Sequence, residues 1–258
     1  MTTADFLLID LGNTSAKLRL ATAARLLGQT RRLPTAALLA PGGAGALEGA
    51  LAGWRFGGAV LSSVVPAAAR AVAAALPGMG AVGARTDAGV DLRGYPGRRT
   101  LGADRLANMA GALARHGPGP LVVVDFGTAA TFNALDAAGR FLGGAIAPGL
   151  AAVRDYLPAR GALLPPVRLA GAPPRAVGRS TAAAIRAGTL LGYRGLVREI
   201  LDAIRAELGG QAQVVATGGD ARFLAARGWG FFDVVDPDLT LHGLRVIAAR
   251  LPDGRAAL

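Results

Sequence analysis

The sequence predicts an α/β chain made of two halves built alike, and three observations carry that prediction. Short apolar runs of strand composition alternate with longer stretches of helical spacing. Two of the strands end in the same way. "FLLIDLGNT" puts Asp10, Gly12, Asn13 and Thr14 after an apolar run, and "LVVVDFGTAAT" puts Asp125, Gly127, Thr128 and Thr131 after another. Between them lies "GPGP" at 117–120, a composition that breaks both helix and strand. We therefore expect a first domain over 1–117 and a second over 118–258.

In chain order, "FLLID" reads as a buried strand and "SAKLRLA" as its partner across a tight turn at Gly12-Asn13. Residues 40 to 53 are rich in glycine and alanine and give no firm secondary structure. "GGAVLSSVV" at 57–65 is a short apolar strand, and "AAARAVAAAL" after it is a helix stopped by Pro77-Gly78. Residues 85 to 100 are loop-like. "ADRLANMAGALARHG" has apolar residues at helical spacing and a C-terminal signal at His116-Gly117. Beyond the boundary come a strand, a turn and two further strands through "RFLGGAIAPGL". "STAAAIRAGTLLGYRGLVREILDAIRAEL" is one long helix or two, "AQVVATGGDARFLAARG" is strand, glycine turn and helix, and a helix near "HGLRVIAAR" closes the chain.

Composition narrows the function classes. The chain has 258 residues, 52% of them hydrophobic, enough for a sizeable core, yet no apolar run approaches the roughly 18 residues of a membrane span. The start MTTADFLLID lacks the basic region of a signal peptide. With no cysteine, disulfides and thiolate metal sites are excluded. We expect a soluble cytoplasmic protein with no membrane partner. The net charge is +11, but the arginines are scattered and aromatic residues are only 5%, which argues against a nucleic-acid face. That charge would still attract an anionic ligand such as a nucleotide.

The turns suit a nucleotide phosphate site. Glycine lets the backbone approach an anion, turn N–H groups face it, and threonine hydroxyls donate to it. A carboxylate repels phosphate, so its sensible task is to hold a bridging cation. A single such turn is more simply an aspartate-capped turn, whereas two matched turns favour the phosphate reading. "VVATGGDARFL" at 214–224 adds a third strand-ending glycine turn, against which a base or ribose could lie. Neither the GxGxxG fingerprint nor the GxxxxGK[ST] loop occurs. The three turns in this order are the pattern of a sugar-kinase, Hsp70 and actin type of ATPase core.

Asp104, in "YPGRRTLGADRLANM", sits at a helix start beside Arg105. It could accept a proton from a substrate hydroxyl while Arg105 grips an anionic substrate, or it could simply cap the helix. Spacing alone leaves those two roles level. His116 and His242 are isolated and read as structural; neither a zinc site nor a GxSxG nucleophile is supported.

At these residues the sequence resembles type III pantothenate kinases along nearly its whole length. "DLGNTSAK" (10–17) is similar to that family's first phosphate motif and "GADR" (102–105), preceded by Tyr95-Pro96, to its pantothenate segment. "DFGTAAT" (125–131), "GGAIAPGL", "GRSTAAAIRAG" (178–188), "TGGDA" and "DLTLHGL" follow in the family's order, the last two as adenosine-side motifs. The stretch between Tyr95 and Gly102 is richer in arginine than is usual there.

The resemblance implies a two-domain actin-like (ribonuclease H-like) ATPase fold and a homodimer. It also implies ATP-dependent phosphorylation of pantothenate to 4'-phosphopantothenate, the first step of coenzyme A synthesis, with Mg²⁺ and a monovalent cation, K⁺ or NH₄⁺. Carried over by position, Asp104 would be the general base. Tyr95, Gly102, Ala103, Asp104, Arg105 and Thr181 would hold pantothenate. Asp10, Leu11, Gly12, Asn13, Thr14, Ser15, Ala16 and Lys17, with Thr128, would bind ATP; Asp10 would lie near Mg²⁺ and Asp125 would bind the monovalent cation. Two rivals remain: a regulatory or accessory protein that kept the nucleotide fold, and a phosphohydrolase on the same core. Neither needs both phosphate turns together with Tyr95, Arg105 and Thr181.

Overall fold

The computed structural model describes residues 4–83 and 85–251. Strand β1 (Ala4–Leu11) turns back into β2 (Ser15–Ala21), and β3 (Leu26–Pro34) continues the antiparallel meander. Helices α1 (Thr35–Leu39) and α2 (Gly43–Leu51) then lead to β4 (Phe56–Ser63), which lies parallel to β1. Helix α3 (Pro66–Ala75) starts on a proline, whose missing N–H costs nothing at that position. A short β5 (Gly80–Ala81) completes a sheet of order β3-β2-β1-β4-β5. A 3₁₀ turn (Pro96–Thr100) precedes α4 (Ala103–His116).

The same plan is then repeated. Strands β6 (Leu121–Phe126), β7 (Ala129–Leu135) and β8 (Phe141–Pro148) form the meander, followed by α5 (Leu150–Arg160) and α6 (Thr181–Glu207). Strand β9 (Gln213–Thr217) lies parallel to β6, and after α7 (Ala221–Ala225) the short β10 (Val234–Val235) pairs with β9. The resulting order, β10-β9-β6-β7-β8, is that of the first sheet. The prediction of two halves built alike is thus met at the level of strand order and direction. Helix α8 (Leu239–Ala248) ends the described chain.

Each sheet buries alternate residues against its own helices. In the first, Leu7, Ile9, Leu11, Leu18 and Leu61 pack with Leu38, Leu47 and Val72 of α1, α2 and α3. The opposite face of β1 and β4, carrying Leu8 and Val60, lies under α4 and α8. In the second, Val122, Val124, Phe132 and Val214 pack with Tyr193, Val197 and Leu201 of α6 and Leu224 of α7. Helix α6 is a single 27-residue helix.

The chain divides into two compact units, one holding the residues up to Gly117 together with those from Asp238 onward, the other spanning Pro118–Pro237. Placing 238–258 in the second domain is corrected for α8, which belongs with the first unit. The reason is a close helix crossing: a Cβ on Gly243 would overlap the Ala107 carbonyl, and one on Gly111 would come within 2.5 Å of the Leu239 carbonyl. Inside this contact the buried Thr240 Oγ1 donates to Asn108 Oδ1 at 2.7 Å. Asp238, just before α8, pairs with Arg19 of β2 at 2.9 Å. Residues 40–53, which gave no firm structure from sequence, include α2; its Leu47 is buried while most of its small residues face solvent. Among the described residues no helix is long and apolar enough to cross a membrane.

Candidate active site

The segment Asp10–Lys17 divides into three parts. Gly12, Asn13 and Thr14 form the β1–β2 turn, where the Gly12 N–H donates to the Ser15 carbonyl at 3.1 Å. Thr35, at the start of α1 and buried, braces this turn from behind. Its N–H donates to the Thr14 carbonyl at 3.0 Å and its Oγ1 to the Gly12 carbonyl at 2.7 Å. Leu11 and Ala16 face the core, so only their main chain can meet a ligand. Asp10 and Lys17 are opposite one another in register and form an ion pair at 3.2 Å. Both side chains are largely buried.

Asp104 lies in the first turn of α4, with Gly102 as an N-cap that supplies no side-chain bond. Its Oδ1 accepts the Arg105 N–H at 2.7 Å. A side chain at Gly102 would collide with that oxygen, so glycine is what lets the carboxylate take this position. Burial pushes the Asp104 carboxyl above the usual range, and the negative charge of nearby Asp10 adds to this; the Arg105 N–H and guanidinium oppose it without cancelling it. Ala103 is buried, leaving its main chain available. The Tyr95 ring folds back over the 3₁₀ turn, with its hydroxyl where a Cβ on Gly97 would be 2.9 Å away. Arg98 and Arg99 of that turn are exposed. The first unit thus brings Asp10, Lys17 and Asp104 into one electrostatic neighbourhood.

The second unit repeats the turn. The Gly127 N–H donates to the Ala129 carbonyl at 3.1 Å, and the Gly149 N–H, before α5, braces the turn by donating to the Thr128 carbonyl at 3.1 Å. Thr128 is exposed at the tip. Asp125 is opposite Thr131 on β7 and Thr217 on β9. Gly218, the residue after β9, has φ +94°, and a Cβ there would run into the Asp125 carboxylate and the Phe126 backbone. Both the dihedral and the close approach demand glycine. The Asp220 N–H then donates to the Phe126 carbonyl at 3.2 Å, and burial raises the Asp220 carboxyl despite nearby Arg154. Thr181 is exposed in the first turn of α6, whose cap Ser180 accepts the Ala183 N–H at 3.2 Å. It borders an apolar groove of about 750 Å³ between α5 and α6, lined by Val153, Tyr156, Leu157 and Ile185 among others.

The family model for type III pantothenate kinases matches residues 6–203. The chain belongs to the type III pantothenate kinase family. A relative from Akkermansia muciniphila named type III pantothenate kinase is 44% identical over 246 residues, spanning 94% of this chain and 98% of its own. Among solved structures, a Baf family transcriptional activator from Campylobacter jejuni superposes with TM-score 0.60 at 21% identity, covering 93% of this chain and 96% of that one. An archaeal actin homologue superposes with TM-score 0.52 at 12% identity over 96% and 100% of the two chains. At those identities the structural likenesses speak for the fold, which is the two-domain actin-like α/β ATPase fold.

Several features escaped the sequence reading. The segment "DLTLHGL" also packs α8 onto α4 in the first unit, a structural task its motif did not show. Thr35, which braces the first turn, carries no motif of its own, and Gly149, which braces the second, lies in "GGAIAPGL" without its bracing role showing in the sequence. Ser62, opposite Asp10 on the parallel neighbouring strand, was visible only as a polar residue near the end of an apolar strand, and the place of Thr217 opposite Asp125 was not legible from its motif "TGGDA". His242 lies 3.4 Å from Arg115, and among the described residues no three His, Cys, Asp or Glu side chains cluster to hold a metal.

Proposed function

We propose that this chain transfers the terminal phosphoryl group of ATP to the terminal hydroxyl of pantothenate, giving 4'-phosphopantothenate, the first step of coenzyme A biosynthesis in the cytoplasm. Family membership supports the substrate pair. The observation that carries the chemistry is Asp104: a half-buried carboxyl at a helix start, raised by burial and close enough to Asp10 to feel its charge.

Phosphoryl transfer is mostly positioning and charge neutralisation, so few reactive groups are needed. Asp104 is assigned to accept the proton from the pantothenate hydroxyl as the new P–O bond forms, and its raised pKa brings its basicity nearer the working pH. Arg105, Tyr95, Thr181 and the main chain of Gly102 and Ala103 are assigned to hold pantothenate. The turn N–H groups of Asn13 and Thr14, held in place by the Gly12 turn, and the Thr128 hydroxyl are assigned to the ATP phosphates, for which both turns offer exposed donors.

Mg²⁺ would neutralise phosphate charge when bound. Asp10 fits it, because Mg²⁺ keeps most of its waters and takes only one or two carboxylates besides phosphate. The fully buried, unpartnered Ser62 hydroxyl beside Asp10 is the kind of donor such a hydrated ion leaves waiting. A monovalent cation, K⁺ or NH₄⁺, is assigned to Asp125. There the hydroxyls of Thr131 and Thr217, in register with Asp125 and unpartnered among the described residues, offer the oxygen donors that suit a hard cation.

We also propose a two-fold homodimer formed through the second unit. Tyr156 and Leu157 on α5 are 61% and 39% exposed and Leu191 on α6 is 42% exposed, large apolar side chains left uncovered on the two helices that flank the groove. ATP consumption measured with and without pantothenate, each with and without potassium, tests the reaction. Turnover without pantothenate would favour a phosphohydrolase, and no turnover at all would favour an accessory protein.

A further inference from the structure

We propose that Ser62 is a positioning residue for a hydrated divalent cation at Asp10, a role that rests on the assignment of Mg²⁺ to that carboxylate. Strands β1 and β4 are parallel and Asp10 is in register with Ser62, so their side chains project from the same face of the sheet, with Cβ atoms about 5 Å apart. That face is the one under α4, whose first turn carries Asp104. Ser62 is 1% exposed, and its Oγ has no hydrogen-bond partner among the described residues.

A buried hydroxyl left unpaired is costly, so a protein that keeps one needs a compensating use for it. The second sheet makes the same choice independently. Thr217, on the parallel neighbour β9 and in register with Asp125, is fully buried with an unpartnered Oγ1. Two halves with different sequences thus set a silent hydroxyl beside the strand-ending aspartate.

Ser62 can donate one hydrogen bond and accept two. Asp10 is already engaged by Lys17, so Ser62 need not neutralise it. What the hydroxyl adds is a fixed direction: it holds a water of the ion's shell against the Asp10 carboxylate, as outer-shell partners orient metal ligands elsewhere.

The test measures thermal unfolding of the full chain with a non-hydrolysable β,γ-imido analogue of ATP while Mg²⁺ is titrated, so nothing depends on turnover. For Ser62→Ala we expect a metal-free Tm equal to or above the parent's, because an unsatisfied polar atom is gone. The Mg²⁺ concentration giving half of the ligand-induced Tm shift should rise about tenfold. Ser62→Thr, which restores the hydroxyl with the residue type found at 217, should return that midpoint to near the parent value. Ser62→Cys, close in size but a weak sulfur donor, gives the same readout should the alanine variant not fold. Asp10→Asn separates the two ideas. A raised Mg²⁺ midpoint in Asp10→Asn with an unchanged one in Ser62→Ala overturns the Ser62 role alone. An unchanged midpoint in Asp10→Asn overturns the Mg²⁺ assignment and the Ser62 role with it.

Discussion

Replacing Asp104 with asparagine separates catalysis from capping, because the two roles predict opposite results. Asparagine keeps the size of the side chain and an oxygen able to accept the Arg105 N–H, now at 2.7 Å from Oδ1. It removes only the basicity. Loss of a general base costs on the order of 10²- to 10⁴-fold in turnover, or about 2.7–5.5 kcal/mol of barrier. Stability should move the other way. A carboxyl whose folded pKa is raised binds its proton more tightly in the folded chain, so its contribution favours folding below the unfolded value, about 3.9, and is lost as pH rises through the folded value. At neutral pH the ionised Asp104 is therefore a burden on the fold that asparagine does not carry. Asp104→Asn should unfold at a higher temperature than the parent at pH 7, with the gain fading as pH falls through the raised folded value and gone by about pH 4. The assay pairs turnover with pantothenate and calorimetric Tm across pH on the same preparation. Turnover near the parent's, or a variant less stable at pH 7, would refute the reasoning and leave Asp104 as a cap.

Three further outcomes follow from the same geometry. Gly243→Ala, which drives a methyl into the Ala107 carbonyl at the α4–α8 crossing, should destabilise the chain by about 1–3 kcal/mol or more in urea unfolding, because two packed helices must part. Asp125→Asn should weaken ATP binding by calorimetry and flatten the response of activity to added potassium; full potassium stimulation would remove Asp125 from that role. Tyr156→Asp, at an exposed aromatic position lining the α5–α6 groove, should convert a dimer to a monomer in light scattering at micromolar concentration while leaving the far-UV spectrum unchanged. A parent protein already monomeric there would count against the α5–α6 interface.

The paired turns were legible because their cues are local: an apolar strand, a carboxylate, a glycine and a hydroxyl within a few residues. Asp104 was legible for the same reason, as an acid at the start of a strongly periodic helix. Helix α2 was hidden because its face toward the core rests on little more than Leu47 amid glycine and alanine. Helix α5 was missed because only Leu150 is buried along it and Pro158 interrupts its last turn. The return of α8 to the first unit depends on contacts between residues more than a hundred positions apart, Thr240 with Asn108 and Gly243 with Ala107, and no local pattern announces such a partner. Ser62 became meaningful only once strand register set it opposite Asp10. The raised pKa of Asp104 was likewise out of reach, since spacing shows Arg105 beside it but neither its burial nor the approach of Asp10.

The central claim is that this chain spends ATP on pantothenate, and the most direct measurement is ADP release by the purified full chain with Mg²⁺ and potassium, with pantothenate present and then absent. The account predicts ADP release that requires pantothenate, matches the 4'-phosphopantothenate formed one for one, and collapses in Asp104→Asn. ADP release that is indifferent to pantothenate, or that survives in Asp104→Asn, would contradict it.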